Sequence, residues 1–149
     1  MKIRKIASMV ALAGVLASGL AFAQAQFGTA PEAKAMLQKA VAEVKADKAA
    51  ALGKFNKGEG GFKDRDLYPF CGGPDGNFTA HPTLQGKSLK NLKDKAGNAL
   101  GEEIYKTAKE GQISEVSYMW TRPGSEQQVQ KVSYVTKVGD QVCAVGYYK

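Results

Sequence analysis

The first two dozen residues decide where the rest of this chain folds and which covalent chemistry is open to it. Lys2, Arg4 and Lys5 make a basic start, and a run of apolar and small residues without a charge follows from Ile6 to about Phe22. It closes on Ala21-Phe22-Ala23, and Ala23-Gln24-Ala25 offers a second small-x-small site. A positive n-region, an apolar h-region and an A-x-A end are the three parts of a secretory signal. A retained membrane anchor is the competing reading, but the run is marginal for ~30 Å of hydrocarbon, which takes roughly 20 apolar residues. The expectation is a cleaved leader over residues 1–23 and one exported domain over residues 24–149, periplasmic or secreted. That remainder is long enough to bury a core of its own.

Export sets how the two cysteines are read. Cys71 and Cys143 both follow the leader, and an even count in an oxidising compartment favours one disulfide between them. A reactive thiol or a metal ligand is the alternative. Neither cysteine has a Cys neighbour at metal spacing, His81 is the sole histidine, and no C-x-x-C-H is present. No metal or cofactor is therefore expected. The leader carries three of the positive charges behind the formal +7, so the mature chain is only mildly basic. Its lysines alternate with Asp and Glu, the pattern of a solvated face, and no basic run with interleaved aromatics marks a nucleic-acid groove.

Thr29-Ala30-Pro31-Glu32 has the form of a capping box with proline in the first turn. Met36, Leu37, Ala40, Val41, Val44, Ala51, Leu52 and Phe55 then recur at spacings of three and four, predicting one amphipathic helix of about 25 residues. Its stripe suits core packing or, more sharply, a dimer seam, so both monomer and homodimer stay open. The glycines around Gly58 end the helix. Asp66 to Cys71 reads as a short strand that Pro69 demotes to an edge or an irregular one, and Phe78 to His81 as its return after a turn at Pro74–Asn77. A helical turn near Leu89–Asp94 and a helix over Glu102–Lys109 ending at Gly111 come next. Strands over Ile113–Trp120, Val129–Val138 and Gln141–Tyr148 close an α+β domain with helices on one sheet face.

Asp66-Leu67-Tyr68-Pro69-Phe70, Asp75-Gly76, His81-Pro82, Lys93 to Gly97, Val116 to Trp120, Arg122-Pro123-Gly124, Lys131 to Val135 and Val145 to Tyr148 follow one another in an order that resembles the single Cache domain of type 2. The resemblance spans essentially the whole mature chain. It implies a PAS-like fold, with a long N-terminal helix packed on a central antiparallel sheet. The other sheet face would enclose a small ligand, commonly a short-chain carboxylate. Members of the family usually sit between two membrane helices and drive chemotaxis receptors or histidine kinases. No membrane helix or kinase follows here, so the expectation is a stand-alone member whose output passes through a membrane receptor or kinase.

A pocket for a small organic acid needs a cation or several converging donors, with apolar walls for shape. The family pattern draws the walls from Tyr68, Phe70, Tyr118 and Trp120, and Tyr134 completes the candidate set. Lys131 and Arg122 lie on two adjacent predicted strands flanking one turn, which suits either to neutralise a carboxylate. Lys131 has the opposite strand parity to Tyr134. Pro82 biases His81 to extended geometry at a strand end, the mouth of such a pocket. A Cys71–His81 nucleophile pair competes with the disulfide and lacks an elbow or an orienting acid, so no enzyme is expected. The rival from another class is an interaction module that keeps the fold without a ligand.

Overall fold

The computed structural model describes residues 25–149, so the leader expected over residues 1–23 lies outside the described residues. The capping box forms: the Glu32 carboxylate accepts from the Thr29 backbone N–H at 2.8 Å and from its hydroxyl at 2.9 Å. Helix α1 runs from there over Ala30–Ala46. The single helix expected from the periodicity is in fact two, because Asp47 leaves the helical region at φ −157° and ψ 98°. Its carboxylate accepts from the Ala50 N–H at 3.0 Å and starts α2, Lys48–Lys57. Aspartate is a better cap than helix-interior residue, so the break falls there. Gly58, left-handed at φ 67°, ends α2.

Five strands follow: β1 (Pro69–Gly72), β2 (Phe78–Ala80), β3 (Ser114–Thr121), β4 (Gln128–Val138) and β5 (Gln141–Tyr148). They form one antiparallel sheet in the order β2-β1-β5-β4-β3. β1 is therefore interior, and of the two readings Pro69 left open, an edge or an irregular strand, the second holds: its register with β2 shifts between Cys71 and Gly72. Proline is tolerated because it opens the strand, and β2 pairs only with Cys71 and Gly72 beyond it. Chain-terminal β5 lies in the middle, which explains why its residues are buried almost without interruption.

Helices cover both faces, where the sequence suggested one. α1 and α2 pack Leu37, Ala40, Ala51 and Phe55 onto the face carrying Cys71, Cys143 and Val145, so the stripe is spent on the core. Helix α3 (Leu100–Thr107) sets Leu100 and Ile104 against Phe70, Phe78, Val135 and Ala144 on the other face. α3 ends at Ala108, while Gly111, at φ 71°, turns the chain after it; Leu89–Asp94 forms turns, not a helix. Cys71 and Cys143 are directly opposed on β1 and β5 and joined as the expected disulfide, fully buried beneath α1. No helix among the described residues is long and apolar enough to cross a membrane.

Candidate ligand-binding site

Strand alternation gathers most of the candidate residues on the face under α3. β3 pairs Tyr118 with Lys131 and Val116 with Ser133; β4 pairs Lys131 with Tyr148 and Ser133 with Gly146. With a period of two, Tyr118, Trp120, Lys131, Ser133 and Tyr148 all project to one side. Tyr134 is out of phase by one residue and corrects the expectation that placed it with the others. It lies on the α1 face, its ring 6.0 Å from that of Tyr147.

Lys131 is the centre of the arrangement and is only 1% exposed. Its stem runs from β4 across β5, and Nζ donates to the Tyr68 hydroxyl at 3.0 Å on the far side. Gly146 makes that crossing possible, because any Cβ there would collide with Lys131 Cε and Ser133 Oγ. The ammonium lies 4.3 Å from the ring centre of Tyr68, 5.0 Å from that of Tyr148 and 5.7 Å from that of Phe70. Aromatic faces are negative, so they partly replace the lost hydration of the cation. Among the described residues no carboxylate forms an ion pair with it.

Lys131 helps line a small cavity with Tyr68, Phe70, Phe78, His81, Leu92, Leu100, Tyr118 and Trp120. The centre of a water-sized sphere can occupy only about 10 Å³ of it, room for roughly one water. Tyr68, His81 and Trp120 also line an outer cleft of about 570 Å³ bounded by Lys63, Arg65, Pro82 to Leu84 and Thr121 to Ser125. These three side chains are thus the wall between cleft and cavity. Arg122 stays in the cleft, where its Nε donates to the Asp66 carboxylate at 3.2 Å and its guanidinium stacks 4.1 Å over Phe27. Asp66 also accepts from the Gly28 N–H at 2.7 Å. The second cation expected in the pocket is therefore matched outside it.

The family model for the Cache domain matches residues 30–148. The chain belongs to the Cache domain family. Among solved structures it is similar to a methyl-accepting chemotaxis protein from Vibrio parahaemolyticus RIMD 2210633, with a TM-score of 0.64 and 26% identity over 79% of this chain and 86% of that one. A periplasmic sensor domain of a chemotaxis protein superposes with a TM-score of 0.58 and 24% identity, over 77% of this chain and 86% of its own. A third neighbour comes from work on the structural basis of carboxylic acid recognition by a Cache chemosensory domain. It gives a TM-score of 0.56 and 22% identity, over 77% and 84% of the two chains.

In this Cache domain His81 is fixed as a neutral hydrogen-bond donor. Its Nδ1 accepts from the backbone N–H groups of Thr83 at 3.0 Å and Leu84 at 3.1 Å, which places the ring proton on Nε2. No described residue bonds to Nε2. Burial, reinforced by the Lys131 charge, pulls the His81 pKa down to about 4. Burial opposes the charge of Lys131, while the neighbouring phenol oxygens, that of Tyr118 foremost, raise its pKa; as uncharged hydroxyls these are dipoles and none of them is a counter-ion. Burial pushes the Tyr118 hydroxyl up, and it shares a hydrogen bond of 2.8 Å with Ser133.

The low His81 pKa makes the domain sensitive to acid. Between the unfolded value of about 6.5 and the folded value of about 4 the unfolded chain binds more protons, so stability falls as pH falls through that window. The full difference is worth about 3 kcal/mol at 1.36 kcal/mol per unit. His81→Asn keeps an acceptor for Thr83 and Leu84 and does not titrate. Urea unfolding near pH 7 and near pH 4.5 should show a steep loss in the parent protein and a shallower one in this variant.

Phe78, Leu92 and Leu100 line the cavity, Tyr148 and Gly146 pack against Lys131, and none of the five was among the sequence candidates. Tyr148 shares β-strand parity with Gly146, a signal available in the sequence. Leu92 and Leu100 carry none, since nothing local says that a leucine in a loop or at a helix start faces a cavity.

Proposed function

We propose that this Cache domain is an extracytoplasmic sensor that binds a short-chain carboxylate without turning it over. The observation that carries this reading is Lys131: a buried ammonium, facing a cavity, with no acidic partner among the described residues. A buried charge without a counter-ion is costly, and a carboxylate beside Nζ would supply one. The Lys131 ammonium, the Tyr68 and Tyr118 hydroxyls and the His81 Nε2–H are the donors that would hold it, with Phe70, Phe78 and Trp120 around the tail. The carboxylic acid recognition named for one structural neighbour, and the chemotaxis sensors named for the others, support the same reading.

Catalysis is disfavoured because both cysteines are in the disulfide and the basic nitrogen of His81 is occupied by two backbone donors. A cleaved leader over residues 1–23, a periplasmic domain over residues 24–149 and a membrane receptor or kinase as partner belong to the same proposal. One observation favours a second reading, an interaction module of Cache fold without a ligand: the cavity holds about one water. Thermal unfolding against formate, acetate, propionate, butyrate and amino acids separates the two. A ligand specific to the native state stabilises it by about 2.7 kcal/mol at a hundredfold excess over Kd. A concentration-dependent rise with a monocarboxylate is the expected result, and no shift with any of them would favour the module.

A further inference from the structure

We infer that Leu92 and Leu100 set the length of acid this site accepts, restricting it to the shortest monocarboxylates. The inference rests on the carboxylate reading above. Every cationic or hydroxyl donor at the cavity stands on or beside the sheet: Lys131 on β4, Tyr118 on β3, Tyr68 just before β1. Leu92 and Leu100 come instead from the covering layer, the loop after β2 and the first residue of α3. A carboxylate held at the sheet points its tail at these leucines.

The layer is pinned, so the tail cannot lift it cheaply. The Gly101 N–H donates to the Leu92 carbonyl at 2.9 Å, and the Leu92 N–H to the Leu89 carbonyl at 3.0 Å. Gly101 packs so tightly under that turn that a Cβ would collide with the Leu89 and Lys90 carbonyls. Asp94 closes the rest of the loop, accepting from the Asn98 backbone and side-chain amides, both at 2.8 Å. With the backbone tied on both sides, the height of the cavity is decided by the two leucine side chains. The other route for a long tail is sideways past Trp120 into the outer cleft, since Tyr68 is bonded to Lys131 and His81 to its own loop.

The test is calorimetric titration of the mature protein with formate, acetate, propionate and butyrate, repeated on Leu92→Ala, Leu100→Ala and Trp120→Ala. The parent is expected to bind the shorter acids and to lose affinity at the longest. Each methylene newly buried is worth roughly fourfold in affinity and butyrate has two more than acetate, so the butyrate-to-acetate affinity ratio should rise about fifteenfold in Leu92→Ala or Leu100→Ala. Leu92 is half-buried, so its variant keeps the test available should Leu100→Ala fail to fold. An unchanged ratio in the leucine variants, or a ratio that moves only in Trp120→Ala, overturns the assignment. A parent protein that binds none of the acids refutes the carboxylate reading itself, a different result from either.

Discussion

Lys131→Met is expected to weaken carboxylate binding by about 2–5 kcal/mol, thirtyfold at least, and yet to leave the domain as stable as before or more so. Binding falls because a buried charge-assisted contact loses its cation. Stability does not follow, because the ammonium is desolvated and compensated only by the Tyr68 hydroxyl and the neighbouring rings. A buried charge with no counter-ion costs free energy, and an apolar side chain of similar volume removes that cost without leaving a second charge unpaired. Methionine is unbranched and matches the lysine stem in length as far as Cε, so it can follow the same path over Gly146. Urea unfolding and titration with acetate, on the same preparations, read the two effects separately. A loss of several kcal/mol in stability would instead make Lys131 a structural strut, and the cavity an ordinary piece of core.

Replacing both cysteines, as Cys71→Ala with Cys143→Ala, is expected to cost about 4 kcal/mol of stability. The bridge joins residues 72 apart, and closing so long a loop restricts the unfolded chain by about that amount in the chain-entropy account. It also joins β1 to the centre of the sheet, where β1 brings Tyr68 and Phe70 to the cavity. The variant should therefore lose ligand affinity only where its unfolding begins to compete. Urea unfolding of parent and variant, without reductant, measures the difference. A loss below about 1 kcal/mol would show that the packing under α1 holds the strands without the bond.

How well the sequence could be read varies along the chain, and the variation has physical causes. β3, β4 and β5 lie within a residue of where β-branched and aromatic runs placed them, because alternation and turn glycines are local signals. The capping box was equally legible. The break at Asp47 was not: the apolar periodicity continues through it, and whether an aspartate caps or is merely exposed depends on where the next turn packs. Pro69 was legible only in part, since the choice between an edge and an irregular strand stayed open. Proline forbids a donor at one position, but whether that position needs one depends on how far the neighbouring strand extends, and β2 stops short of it.

The candidate site divides in the same way. Parity set Lys131 apart from Tyr134 and joined Tyr118 to Trp120, since a strand's side chains alternate whatever surrounds them, and the candidate set that included Tyr134 ran against it. The sequence by itself thus determined the strands, their phase, the cysteine pair and the resemblance to Cache domains. Only the tertiary structure decided that Arg122 is neutralised by Asp66 while Lys131 is left without an acid among the described residues, although both are cations near one turn in sequence. It also decided that Leu92 and Leu100 close the cavity. The reason is that pairing and enclosure are made between segments far apart in the chain: Asp66 meets Arg122 across 56 residues, and Tyr68 meets Lys131 across 63. No local pattern records which distant side chain will arrive.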